Sequence, residues 1–312
     1  MFGTAESASL GYHGQSDLSR TFFENLIVFF EALSYHMEKE VDTMKRVVTM
    51  QDLSCLGKCS LTVAHPVLSA MGCACSVLPT AVFSTHTAFP APARRDLSDF
   101  ARPAMDQWQA IGAEFDGILT GYLANRHQAA LALELYDRFG AHAAVVHDPA
   151  MADNGRLYGG MGPEMIEAHR QLCARADLIL PNLTDGAWLA GIDWQDRTDL
   201  DFCRQIATEL LKTTKTVLLT GYSPTPDTVG FYYRDGQTEF AHAGPRLPRS
   251  CHGTGDLFAA VVTGGLMRGL SVPETGVLAA EFVHRAIAKT GEDSRFGVAF
   301  EEQLGWLADS VR

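Results

Sequence analysis

His252-Gly253-Thr254-Gly255-Asp256 places a carboxylate directly behind two glycines that flank a threonine, and an apolar helical run over 257–267 follows without a break. Such glycines let the backbone turn tightly and aim successive N–H groups at one point, and the helix adds its unpaired N-terminal donors and the positive end of its dipole. The result is an anion cradle with an acid beside it. A phosphoryl group can be held there while Asp256 takes the proton from a hydroxyl. The same residues admit a plainer reading, in which Asp256 is a first-turn acid that stabilises its helix and Gly253 and Gly255 only shape the turn into it. One short glycine motif does not decide between the two.

The elements that must position this stretch are legible from residue 45 onward, where strands and helices alternate as in a mostly parallel sheet covered by helices on both faces. A β-branched strand over 46–51 ends in Asp52, an apolar helix over 60–71 is closed by Gly72, and a strand over 75–84 runs into Thr85-His86-Thr87. The proline-rich stretch 88–95 is long enough for a flap. Further strands follow over 115–120, stopped by Gly121-Tyr122, over 143–147, stopped by Asp148-Pro149, and over 178–180, stopped by Pro181-Asn182. The run 216–220 ends in Gly221, and 228–233 with 238–242, joined by Arg234-Asp235-Gly236, predict an edge hairpin. Helices are predicted over 256–268, 272–289 and 300–311. In an open α/β sheet the ligand lies beyond the carboxyl ends of the strands, so the polar residues at these stops are the ones that can carry chemistry.

With 312 residues, 46% of them hydrophobic, the chain can bury a substantial core without needing a second domain. Its formal charge of −12 argues against a nucleic-acid or anionic-membrane partner, yet leaves room for a nucleotide, which needs only a local cradle of N–H groups. The seven cysteines show no zinc-ribbon spacing and read as small buried residues of a protein in a reducing cytoplasm. No apolar run approaches a membrane span, and the first residues lack a signal-type core. Residues 1–43 differ from the rest, with Phe22, Phe23, Leu26, Ile27, Phe29, Phe30 and Leu33 forming a rough helical stripe ahead of a second methionine, Met44. They are either an appendage that packs on the body or on a partner subunit, or an extension that the domain over 44–312 does not require; the second reading is preferred here.

Six stretches in order carry a resemblance: Met44-Lys-Arg-Val-Val-Thr-Met-Gln-Asp-Leu-Ser-Cys-Leu-Gly-Lys-Cys-Ser60, Phe83-Ser-Thr-His-Thr87, Thr120-Gly-Tyr122, Asp148-Pro-Ala-Met-Ala-Asp153, Pro181-Asn-Leu-Thr-Asp185 and His252-Gly-Thr-Gly-Asp256. Over 44–312 the chain resembles the bacterial pyridoxal/pyridoxamine kinases of the ribokinase superfamily. The resemblance implies a ribokinase-like α/β fold with its active site at the carboxyl ends of the strands, and ATP-dependent phosphorylation of the 5′-hydroxymethyl group of a vitamin B6 vitamer. It implies Asp256 as the general base, with the amides of Gly253, Thr254 and Gly255 stabilising the transferred phosphoryl group. Asp148 and Asp153 match acids around Mg²⁺, Asn182 and Asp185 match an element that reaches phosphate and metal waters, and Thr220-Gly221 matches a strand end that contacts the nucleotide. Asp52, Phe83, Thr87 and Tyr122 match positions that line the pyridine ring. A monovalent cation such as K⁺, a cytoplasmic location and a homodimer are further expectations of the resemblance.

The departures bear on the substrate. Many such kinases have serine at the position of Asp52 and glutamate at that of Asp185, and their loop over 57–60 is longer. A carboxylate at 52 suits a protonated amine or ring nitrogen and favours pyridoxamine. His86 is read as a structural hydrogen-bonder and Cys251 as a packed residue beside the anion cradle. The alternatives within the superfamily are a kinase for hydroxymethylpyrimidine or a sugar; outside it, a non-catalytic carrier of pyridoxal phosphate.

Overall fold

In this computed structural model the described residues are 44–312, and the expectations for 1–43 lie outside them. A first strand buried on both faces sets the plan of the molecule. In β1 (Arg46–Leu56) Val47 packs into one apolar cluster and Val48 and Met50 into another, as the period of two requires. The strands that follow are β2 (Ala74–Thr85), β3 (Arg94–Asp96), β4 (Gly117–Thr120), β5 (Ala144–His147), β6 (Ala152–Asp153), β7 (Arg156–Leu157), β8 (Leu178–Ile179), β9 (Val217–Tyr222), β10 (Thr228–Arg234) and β11 (Glu239–Pro245). A nine-stranded sheet has the order β11-β10-β9-β8-β5-β4-β1-β2-β3, and β6 with β7 forms a separate hairpin. Pairing is parallel from β9 through to β2 and antiparallel for β3 and for the β9–β10–β11 edge.

The helices are α1 (Leu61–Ala70), α2 (Ser98–Ala110), α3 (Arg126–Phe139), α4 (Glu164–Cys173), α5 (Leu183–Leu189), α6 (Leu200–Leu210), α7 (Thr254–Met267), α8 (Val272–Lys289) and α9 (Leu304–Asp309). Met105, Leu135, Leu172, Ala187 and Ile206 bring α2 to α6 onto one face of the sheet. Val63, Val67, Val261, Phe282 and Leu307 bring α1, α7, α8 and α9 onto the other. Each such side chain removed from water contributes about 1.5–3 kcal/mol, which makes burial the force that holds both layers to the sheet. Among the described residues no helix is long and apolar enough to cross a membrane.

The sheet order reverses at β1, which has β2 on one side and β4 on the other, and a crevice opens where the chain departs in opposite directions. Three sequence expectations are corrected here. The first strand does not end at Asp52 but continues to Leu56, because β2 keeps pairing with it after β4 has stopped at Met50↔Thr120; the register shifts between Gln51 and Leu53, around Asp52. The predicted flap is shorter than 88–95, because Arg94 and Arg95 pair with β2 through Phe83↔Arg94 and Val82↔Arg95. The last predicted helix is likewise broken, into a 3₁₀ turn (Glu301–Gln303) and α9.

Candidate active site

Gly253 precedes α7 in the left-handed conformation, with φ 85°, and a Cβ on it would stand 2.3 Å from the carbonyl oxygen of Lys58. Only glycine meets both demands. Gly255 is different: nothing lies within 4 Å of where its Cβ would be, so the first turn of α7 faces open space that an anion can fill. Thr254 turns its hydroxyl back onto the carbonyl of Cys251, 3.3 Å away, leaving its amide with the other N-terminal donors of the helix.

Asp256 is half-buried in that first turn. Burial pushes its carboxyl up to about 6, the backbone N–H of Ser60 opposes the shift, and the charge of Asp52 adds to it. At neutral pH such a group is ionised yet a far better proton acceptor than an ordinary aspartate, which is what a general base requires. Asp148 follows β5, its amide donating to the Thr120 carbonyl (2.8 Å) and its Oδ1 accepting from Ala150 N (3.2 Å). Burial first and the Asp256 charge second raise it to about 7. Asp185 is buried in α5 and lies well above the usual carboxylate range through burial and the charge of Asp148, against the pull of the amides of Met151, Ala152 and Asn182; its Oδ1 has no partner. Asp52, Asp256, Asp148 and Asp185 thus form a line in which each feels the next.

Unscreened buried acids with an orphaned oxygen are costly unless a cation or a donor arrives. Hard carboxylate oxygens of this kind fit Mg²⁺, which takes one or two carboxylates and keeps several waters. Among the described residues no three acids, histidines or cysteines form a complete metal cage, in keeping with a cation that needs further oxygens from elsewhere. Of the two acids matched to the metal, Asp148 lies in the line and Asp153 stands on the rim. Asp153 is exposed in the β6–β7 hairpin, its oxygens accepting from Asn154 N (2.9 Å) and Nδ2 (3.0 Å).

Asn182 caps α5. Its Oδ1 accepts from the amides of Thr184 (2.8 Å) and Asp185 (2.9 Å), and its Nδ2 donates to the Ala152 carbonyl (2.7 Å). It therefore positions Asp185 and ties the β6–β7 hairpin to α5, and one Nδ2 hydrogen remains for another partner. Thr220 bridges to Asn182, and Gly221 at φ 93° turns β9 away just beyond it, so both are brought to the same end of the sheet.

On the opposite side of Asp256, Asp52 is buried, its Oδ1 accepting from Ser60 Oγ (2.6 Å) and its Oδ2 facing Ser54 Oγ (3.4 Å). Burial raises its carboxyl, and those hydroxyls resist the rise. Tyr122 is half-buried within the field of both Asp52 and Arg94, its hydroxyl raised by burial and then by Asp52. Phe83 is buried outside both apolar clusters, opposite Ser54 on β1 and Arg94 on β3. Thr87 is exposed in the turn after β2. His86 is structural, as expected: its Nδ1 accepts from Ala88 N (3.3 Å), so Nε2–H donates to the Arg295 carbonyl (2.7 Å), and its ring lies against Phe89 and His252. Cys251 is buried, again as expected.

Sequence reasoning missed two residues. Ser60 touches both Asp52 and Asp256, but a serine before a helix signals only a cap. Tyr158 lies in the combined field of Asp185, Asp153, Asp148 and Asp256, burial being the larger cause of its raised hydroxyl. It sits in an irregular glycine-containing stretch with no period to mark it. Beneath the acids runs a second polar row: Tyr136 OH meets Thr120 Oγ1, which meets His147 Nδ1 (2.7 Å), whose Nε2 meets His169 Nδ1 (3.0 Å).

A glycine turn that opens α7, a raised Asp256 and a run of mutually raised acids, set at the switch point of a mostly parallel sheet, fit a phosphotransferase of the ribokinase-like class. The chain belongs to the phosphomethylpyrimidine kinase family, whose profile matches residues 69–298. It is similar to the pyridoxal kinase of Lactobacillus plantarum, with 32% identity and a TM-score of 0.79 over 86% of this chain and 98% of that one. A candidate phosphomethylpyrimidine kinase of Bacteroides thetaiotaomicron, crystallised with pyridoxal, is 30% identical with a TM-score of 0.78 over 86% and 96% of the two chains. A candidate pyridoxal kinase of Schizosaccharomyces pombe is 25% identical over 81% of this chain and 87% of its own length. The hydroxymethylpyrimidine/phosphomethylpyrimidine kinase of Streptomyces coelicolor is 32% identical over 54% of this chain and 62% of its own.

Proposed function

We propose that the protein transfers the γ-phosphoryl group of ATP to the 5′-hydroxymethyl group of a vitamin B6 vitamer. What supports this reading is that Asp256 stands in the first turn of α7, next to Gly255 with its open surroundings, and is raised by the charge of Asp52, which also acts on Tyr122. A flat heterocycle with polar substituents suits an apolar ring plus a buried acid and a phenol. Asp256 takes the hydroxyl proton, and the amides of Gly253, Thr254 and Gly255 hold the charge of the moving group. Asp148 and Asp185 would hold Mg²⁺ through oxygens or water; the ion, when bound, neutralises phosphate charge. Thr220 and Gly221 flank the nucleotide, and Asn182 fixes Asp185 with its Oδ1 while its second Nδ2 hydrogen can reach phosphate. The expectations of a monovalent cation, a homodimer and a cytoplasmic location belong to this reading and rest on the resemblance alone.

The second reading is hydroxymethylpyrimidine phosphorylation, favoured by the description of the family and by the Streptomyces coelicolor relative. Coupled ADP release with pyridoxal, pyridoxamine, pyridoxine and hydroxymethylpyrimidine at equal concentration tests both. Turnover highest with a B6 vitamer is the expected result; highest turnover with the pyrimidine overturns the first reading in favour of the second.

A further inference from the structure

Ser60 has φ 52° and ψ −123°, the conformation of the first central residue of a type II′ turn, where glycine is the ordinary choice. Of the three non-glycine residues with positive φ among the described residues, Ser60 is the buried one; Ala91 and Asn154 are exposed. A Cβ is strained there, and such strain persists where the surrounding structure imposes it for a purpose. Capping is not that purpose. Ser60 stands at the N-cap of α1, the commonest use of a serine, yet its side chain makes no cap hydrogen bond. Its hydroxyl instead donates to Asp52 Oδ1 at 2.6 Å, and its backbone N–H faces the Asp256 carboxylate.

One residue therefore holds the substrate-side acid with its side chain, while its backbone N–H lies close enough to the base to act on its charge. Neighbouring contacts fix it in place: Ser60 O accepts from Val63 N (3.0 Å) and Ala64 N (2.8 Å), Leu53 bridges to Ser60, and the Lys58 carbonyl two residues earlier packs under Gly253. A shift of Asp52 on meeting a substrate group moves Ser60 Oγ, and with it the N–H that sets the aim of Asp256.

We infer that Ser60 is a positioning residue that couples substrate contact at Asp52 to the alignment of Asp256, and that the strained serine stands in place of glycine because its hydroxyl is needed for that link. This rests on the phosphotransfer reading above. The experiment is a double-mutant cycle in kcat and KM with ATP and the best B6 vitamer, using Ser60→Gly, Ser60→Ala, Asp52→Ser and the double variant Asp52→Ser/Ser60→Gly. Glycine accepts the backbone, so Ser60→Gly folds with an unchanged or higher Tm. Losing a hydrogen bond to a charged group lowers kcat about tenfold in both serine variants, while the KM for ATP stays constant. The double variant is no slower than Asp52→Ser alone. Losses that multiply would show that the hydroxyl acts apart from Asp52, and a wild-type kcat in Ser60→Gly would show that it does nothing; either overturns the inference. If the wild-type chain is inert toward every B6 vitamer but phosphorylates hydroxymethylpyrimidine, the vitamer reading fails, and the same cycle run on the pyrimidine still decides the role of Ser60.

Discussion

The carboxylate line and the hydroxyl–imidazole row meet at the end of β5, where His147 stands beside Asp148, yet they are built on different terms. In the lower row the hydroxyls and imidazoles bond one another as far as His169, whose buried Nε2 is left without a partner, and burial holds both rings neutral, His147 well below its usual range and His169 at about 4. In the upper line the acids repel one another, and one buried oxygen has no partner. The lower row, closed except at that last nitrogen, ties β4 to β5 and α3 to α4 through neutral groups. The upper line holds acids whose charge only a cation or a donor would relieve. The contrast teaches that an unmet neutral nitrogen is tolerated inside a core, whereas a run of buried acids is the costlier feature and the one that points to function.

The largest expected effect is on the base. Asp256→Asn keeps the shape of the helix start but cannot accept a proton, so kcat falls by about 10²–10⁴-fold while the Tm holds or rises. In the wild type, kcat/KM declines as pH drops below about 6, because the raised Asp256 carboxyl is ionised above that value and protonated below it. A near-normal kcat in Asp256→Asn would remove it from the mechanism.

Next in size is the cost of the unmet charges. The native Asp148 carboxyl sits near 7, above its unfolded value, so the folded state binds the extra proton, and stability is lost as pH rises through that range. Asp148→Asn should therefore stabilise the ligand-free protein at pH 8 by an amount on the order of a few kcal/mol, and by much less at pH 5. The comparison between variant and wild type cancels the opposite trend from His147 and His169, whose folded values are lowered. A gain in Tm that does not change with pH would mean that Asp148 is not charged at a cost.

Asp52 divides the vitamers. Its carboxylate meets a protonated amine better than an aldehyde, so Asp52→Ser should lower kcat/KM for pyridoxamine more than for pyridoxal, by a factor of about 10–150. Equal losses would place Asp52 on a feature that the vitamers share. The smallest effect tests the lower row: Tyr136→Phe should cost about 1–2 kcal/mol in chemical denaturation and leave kcat within about twofold. A collapse of kcat in that variant would make the lower row part of the site and erase the contrast.

Much of this was legible in the sequence wherever an apolar run ends abruptly in a polar residue, as at Asp148, Asn182 and Thr220, or where closely spaced glycines lead into an apolar helix, as at Asp256. Residues at β-edges were not. β3 reads Arg94-Arg95-Asp96 and is exposed throughout, so no alternation announces it, as befits an edge strand that must resist pairing with another chain. The continuation of β1 to Leu56 was hidden because it depends on β2 outlasting β4, a long-range fact. Ser60 was hidden by its own type, since the sequence pattern of a cap is present and only the torsion angles reveal that the hydroxyl goes elsewhere.

Lys58 holds a last consequence. Its carbonyl limits Gly253, its backbone and Cβ crowd Gly297, and its ammonium pairs with Glu301 at 2.8 Å across a sequence separation of 243 residues. Contacts this distant close late, because the intervening loop entropy must be overcome first. On the ribosome, a chain that has emerged only as far as β11 can pair its strands, but it has neither the cradle nor anything to press the Lys58 loop into place. Activity therefore waits for the segment through Glu301, and a proteolytic cut within 291–301 is expected to lower kcat more than it disturbs the β1–β9 part of the sheet.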